Sequence, residues 1–157
     1  CRNTKLKKRQ EILDGVYKNV AREIGVLSKR DLFIAGLFLY WGEGTKASRS
    51  VVAFSNTDPF MIKFFIQWLN LIGVRKNLLK VKLHLYVDMN IKKETSFWSK
   101  ILDIPTINFS KPYIKDNKFT SITYRNSFNH GTCNIVYGNS ILHNKIIMSL
   151  KYLRDIV

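Results

Sequence analysis

The feature that most restricts what this chain can fold into is the segment LFIAGLFLYW at residues 32–41. It is apolar at nearly every helical position, and Ser28 followed three residues later by Asp31 forms a capping-box-like start just ahead of it. A helix without a polar stripe is expected to be buried on all sides, so the segment reads as the central helix of a domain. Its far end is abrupt, because Gly42-Glu43-Gly44 sets a lone acid between two glycines. A helix C-terminus carries partial negative charge, so a carboxylate there costs about 0.3–1 kcal/mol where a cation would gain as much. A bound metal ion would reverse that sign; the plainer alternative is a turn from which Glu43 points into water.

The remaining elements follow from periodicity and punctuation. Residues 4–24 repeat apolar positions at Ile12, Val16, Val20 and Ile24 among charged residues, an amphipathic helix that Gly25 ends. SRSVVAFSN reads as a strand or hairpin arm, and Asp58-Pro59 starts another helix with proline at its first position. Phe60, Phe64, Phe65, Trp68, Leu69 and Ile72 give that helix its apolar face, and Gly73 its stop. In KVKLHLYV, Val81, Leu83, Leu85 and Val87 are expected on one side, with Lys82, His84 and Tyr86 on the other. A short helix through Phe97, Trp98 and Ile101 ends before Pro105. INFSKPYIK is then an edge strand, because Pro112 cannot donate to a ladder. Residues 115–130 read as a polar loop, GTCNIVYG as the last strand, and Asn139 as the cap of a final helix carrying Leu142, Ile146, Leu150 and Leu153. Tyr40, Trp41, Phe97 and Trp98 are expected in the core.

These elements define an α+β chain with two parts, a basic helical extension at 1–27 and a domain at 28–157. The 157 residues are 46% hydrophobic, enough for one core. Lys and Arg number 26 against 11 Asp and Glu, a net charge of +15 that favours a polyanionic partner. No apolar run approaches the roughly 20 residues of a spanning helix, and CRNTKLKKRQ does not lead into the apolar core of a signal peptide. Cys1 and Cys133 are too few and too far apart for a zinc site or disulfide framework, which fits a reducing cytoplasm. His84, His130 and His143 are too scattered for a zinc cluster.

The order of helix, G-E-G, strand pair, helix opening on N-T-D-P, strands and last helix resembles the LAGLIDADG homing endonucleases over about residues 28–155. The resemblance implies an αββαββα domain with a saddle-shaped antiparallel sheet that lies in the DNA major groove, plus an inserted short helix here. It places Glu43 in the position of the family's metal-binding acid, with Gly42 beside it. It places FSNTDPFMIKFFIQWLNLIGV on the second strand and its helix, and GNSILHNKIIMSL at the end of the last strand and the final helix. The family's small helix residues are here Leu37 and Phe38, and its first acid is Trp41. Close approach of two signature helices then falls to Ala35, Gly36, Leu39 and Gly42. Where the family often has a lysine before its last helix, Asn139 and Ser140 stand, which leaves Lys46 or Lys111 as the substitute.

One signature motif per chain implies a homodimer in which two Glu43 carboxylates share divalent ions, Mg²⁺ in activity and Ca²⁺ or Mn²⁺ in binding. Asn56 is expected to position water. Such a dimer reads a long pseudo-palindromic duplex site, one half-site per subunit. The strand faces offer Ser48, Arg49, Ser50, Asn56, Lys80, Lys82, His84, Tyr86 and Asn134 for phosphates and base edges. Lys111, Lys115, Lys118, Tyr124 and Arg125 add backbone contacts from the loop region, and Lys5, Lys7, Lys8 and Arg9 extend the footprint. For any single lysine, a solvated edge that discourages strand pairing is an equal alternative. The competing functions are a non-cleaving DNA-binding regulator on the same scaffold and an RNA-splicing maturase. The expected location is the cytoplasm at the nucleoid, or an organelle if the gene lies in an organellar intron.

Overall fold

The computed structural model describes residues 2–115 and 130–157. The chain divides into two compact units, Cys1–Leu32 and Phe33–Val157. The first is built on α1 (Arg2–Ile24). Gly25 ends that helix at φ 61°, a left-handed conformation glycine adopts without a Cβ penalty, and its N–H returns to the Ala21 carbonyl at 3.0 Å. Ser28 then caps the next helix: its hydroxyl donates to the Asp31 carboxylate at 2.7 Å and its N–H does so at 2.8 Å. Those bonds hold the Asp31 carboxyl below the usual carboxylate range.

Along the rest of the chain run α2 (Lys29–Glu43), β1 (Val51–Asn56), α3 (Pro59–Leu71), β2 (Lys80–Tyr86), α4 (Ile91–Leu102), β3 (Tyr113–Lys115), β4 (Thr132–Gly138) and α5 (Ser140–Ile156). Local chemistry sets the helix ends. Asp58 accepts from the Phe60 N–H at 2.8 Å with Pro59 opening α3, and Asn139 accepts from the Leu142 N–H at 2.8 Å to open α5. At the end of α3 the Val74 N–H reaches the Leu69 carbonyl and the Gly73 N–H the Asn70 carbonyl, a Schellman motif with Gly73 at φ 95°.

The strands form one sheet in the order β1-β4-β2-β3. β4 is antiparallel to both β1 and β2, whereas β3 is parallel to β2. The sheet is therefore mixed, which corrects the antiparallel sheet expected from the resemblance. The cause lies in the connection: parallel neighbours need a crossover of a dozen or more residues, and the segment containing α4 supplies it. β3 is the edge strand expected from Pro112. The first arm of the expected strand pair is reduced to a bridge between Gly44 and Phe54, extended by the Thr45 N–H to the Ala53 carbonyl at 2.9 Å. Five helices and this four-stranded sheet, among the described residues, make an α+β fold.

α3 packs on β1 and β4, α5 on β1, and α4 on α3, so the helices collect on one face of the sheet. Phe54, Val81, Leu83, Leu85, Cys133 and Ile135 fill that face, and burial pushes the Cys133 thiol up, keeping it protonated. Phe65 stacks on Phe54 with ring centroids 4.7 Å apart, and the Trp68 indole N–H donates to the Phe33 carbonyl at 3.1 Å, joining α3 to α2. On α3 the buried set is Ile62, Phe65, Ile66, Trp68 and Leu69, while Phe60 is exposed at the overhanging first turn. Val87 lies past the end of β2 and is likewise exposed, not on the inner face.

Burial of α2 on all sides is corrected as well. Gly36, Leu37 and Tyr40 are buried against the domain, whereas Ala35, Phe38, Trp41 and Gly42 are exposed. Trp41 is thus not a core residue, unlike Tyr40 and Trp98, and Phe97 is half-buried. The reason is layering: the helices of the domain meet α2 from one side, and the apolar surplus of LFIAGLFLYW faces away from them.

Candidate functional site

Alternation along three strands builds the sheet's open face. Register fixes its rows: Ser55, Asn134 and Lys82 form one, Ala53, Val136 and Lys80 the next, and Thr132, His84 and Tyr113 a third, with Tyr86 beside Lys115 at the edge. Lys80, Lys82, Tyr113 and Lys115 are exposed, and His84, Tyr86 and Asn134 are half-buried. The His84 ring meets Tyr113 edge-on at 5.5 Å. Partial burial, then the nearby Lys115 and Lys82 ammonium groups, hold the His84 pKa below its ordinary value, so the imidazole is neutral near pH 7. A neutral ring can donate at one nitrogen and accept at the other. Asn134 Oδ1 is buried with no hydrogen-bond partner among the described residues.

Several of the expected residues lie elsewhere. Asn56 shares the parity of Val52 and Phe54, pairs with Cys133 and so belongs to the covered side; its Oδ1 accepts from the Asp58 N–H at 2.9 Å in the turn to α3. Ser48, Arg49 and Ser50 precede β1 in a bend and are not on a strand. Tyr124, Arg125 and Lys118 lie outside the described residues. Conversely, Ser55, Tyr113 and Thr132 join the open face without having been expected there. Their only signal is cross-strand register, which short, weakly alternating segments do not carry locally.

Glu43 is the last residue of α2, exposed, with no hydrogen bond or ion pair to its carboxylate among the described residues. The turn that follows is fixed tightly. The Gly44 N–H donates to the Tyr40 carbonyl at 2.8 Å, the Tyr40 hydroxyl donates to the Thr45 carbonyl, and a Cβ on Gly44 would collide with the Tyr40 ring. Lys46 Nζ donates to the Trp41 carbonyl at 2.7 Å, placing a cation at the helix C-terminus and offsetting the cost of the acid there.

The bridges place the two candidate lysines relative to this acid. Gly44, Phe54, Ile135, Val81 and Phe109 are successive partners across the sheet. Four strand spacings of ~4.8 Å separate the two ends of that row by ~19 Å. Lys46 lies two residues beyond one end and Lys111 two beyond the other, so within one chain only Lys46 sits at the Glu43 end, and Lys111 is corrected as its catalytic partner.

For a divalent ion, the Glu43 carboxylate and the Gly42 carbonyl beside it would be the oxygen donors, of a kind that suits Mg²⁺ or Ca²⁺ better than a softer metal, while the Tyr40 and Trp41 carbonyls of the same turn already accept from the Gly44 N–H and the Lys46 ammonium. Among the described residues no group of three or more His, Cys, Asp and Glu side chains is placed to hold a metal ion, at Glu43 or at any other position. Magnesium commonly takes one or two carboxylates and completes its sphere with water and substrate phosphate, and Glu43 would supply one such carboxylate per chain.

On α2, Ala35 and Gly42 are exposed and small, as close approach of a second helix needs. Gly36 is not available for it: a Cβ there would strike the Trp68 ring, so its lack of a side chain serves packing within the domain. Leu39 is half-buried against the same core. No helix is long and apolar enough to cross a membrane among the described residues. Comparison of the chain with protein-family models, characterised proteins and solved structures returns no match.

Proposed function

We propose that this protein is a site-specific, magnesium-dependent double-strand DNA endonuclease of the LAGLIDADG kind, acting as a homodimer. The observation that carries the reading is the contrast across the sheet: one face is closed by helices, and the other presents Lys80, Lys82, His84, Tyr86, Asn134 and Lys115 on adjacent strands of a +15 chain. Lysines meet phosphates there, and Asn and neutral His meet base edges.

Glu43 supplies the metal carboxylate at the β1 edge of this surface. The exposed stripe of Ala35, Phe38 and Gly42 on the same helix is the surface a second copy covers, bringing two Glu43 carboxylates together. A divalent ion held by Glu43 would supply activation of water and stabilisation of the leaving oxygen of a phosphodiester. The chain's own parts orient the duplex on the open face and hold the acid at a fixed helix end, with the Lys46 ammonium nearby.

The test is a cleavage screen of a randomised pseudo-palindromic duplex library by wild type and Glu43→Gln, with magnesium and with calcium. Wild type is expected to cut both strands with magnesium and only bind with calcium, and Glu43→Gln to bind without cutting. Absence of cutting by the wild-type dimer sinks the nuclease reading. Selective binding by both proteins without cutting supports the second reading, a DNA-binding regulator, which is favoured by the engagement of Lys46 with the Trp41 carbonyl.

A further inference from the structure

A cavity of about 540 Å³ opens between α5, the end of α2 and the bend before β1, away from the residues assigned to DNA on β2 and β4. Its volume lies within the ~300–1,000 Å³ usual for small-molecule sites. Trp41, Ile147 and Leu150 give it an apolar wall, and Arg49, Lys151 and Arg154 line it with positive charge. Among the described residues Arg49 has no acidic partner, and Lys151 and Arg154 share the single carboxylate of Asp155, at 3.0 and 3.8 Å. The site therefore keeps a surplus of cations.

His143, on the first turn of α5, borders the same cavity and is only 4% exposed. Among the described residues neither Nδ1 nor Nε2 has a hydrogen-bond partner. An imidazole shut away from water with both nitrogens unbonded is an unfavourable arrangement that a hydrogen-bonding group arriving in the cavity relieves. The lining thus asks for three things at once: oxygens to meet arginine and lysine, a polar atom to meet His143, and a flat apolar body to lie against Trp41.

We propose that this cavity binds a small organic phosphate carrying a planar ring, of the mononucleotide class. The phosphate lies toward Arg49 and Arg154, His143 hydrogen-bonds the ligand, and the ring packs on the Trp41 side. Arg49, Lys151 and Arg154 do not belong to the open strand faces, so the site does not rest on the DNA surface, although Lys46, which the nuclease reading sets beside Glu43, also lines the cavity.

Calorimetric titration of the full chain at ~0.15 M salt, where exposed charges are largely screened, tests the site with adenosine monophosphate, inorganic phosphate and adenosine as separate probes. Adenosine monophosphate is expected to saturate one site per chain and to bind more tightly than phosphate or adenosine alone. The double variant Arg49→Gln/Arg154→Gln, with folding checked by circular dichroism, is expected to weaken it by at least about tenfold. Lys80→Gln/Lys82→Gln is expected to leave it unchanged. Imidazole nitrogen resonances of His143, assigned with His143→Asn, should shift on adding the nucleotide. Lack of saturable binding at millimolar nucleotide overturns the proposal. So does binding indifferent to Arg49→Gln/Arg154→Gln, binding lost in Lys80→Gln/Lys82→Gln, or an unmoved His143 resonance at saturation.

Discussion

The two faces of the sheet are made by the same strands and differ in almost every physical respect. On β2, Val81, Leu83 and Leu85 are at most 2% exposed and lie under the helices, while Lys80 and Lys82 between them stand in solvent. Removing a residue from the first set leaves a cavity in a close-packed interior, and removing one from the second leaves water. The same strand therefore separates stability from recognition residue by residue, and neighbouring positions should report on different measurements.

The largest expected effect belongs to the covered face. Leu83→Ala should lower unfolding free energy by about 2–5 kcal/mol in denaturant titration, against a change within about 0.5 kcal/mol for Lys82→Ala one position earlier. Equal losses would remove the distinction between the faces. Next comes charge on the open face. Lys80→Gln/Lys82→Gln should weaken duplex binding and reduce the slope of log affinity against log salt by about 2, roughly one per phosphate contact. An unchanged slope would move the DNA to another surface.

The smallest effect is titration at His84. Burial, then Lys115 and Lys82, lower its folded pKa below 6.5. The unfolded chain therefore takes up the proton first as pH falls, and stability declines through the ordinary histidine range until the folded ring also protonates. A phosphate backbone laid on this face opposes the two lysines and raises the same pKa, so DNA binding takes up a proton and tightens a few-fold as pH falls. Both trends should vanish in His84→Asn, and binding that weakens toward low pH would contradict the placement of phosphate near His84.

What could be read from the sequence was what is decided within a few residues. Ser28 with Asp31, Asp58-Pro59, Gly73 and Asn139 set helix ends through bonds to near neighbours, and KVKLHLY declares its faces by alternation. VVAFSN does not alternate in that way, with Val52, Ala53 and Phe54 all buried, so nothing in the segment tells which face Asn56 takes. The all-apolar α2 carries no mark of which side the domain uses. The parallel pairing of β3 and the ~19 Å of sheet between Gly44 and Phe109, near whose ends Lys46 and Lys111 lie, are properties of topology, to which no local pattern corresponds. Glu43 was recognisable by its misfit at a helix end, but Lys46 as its electrostatic counterweight was not.

The position of β4 between β1 and β2 also governs how the chain comes to be folded. Until residues 132–138 are available β1 has no partner strand and β2 has only the short edge strand β3, because β1 and β2 never pair with each other. Loop closure over such separations is slow, and the earlier strands wait with unpaired edges while synthesis continues. On a ribosome α1 to α4 can form early, but the surface that carries Lys80 and Lys82 is completed only when this late strand slots into place.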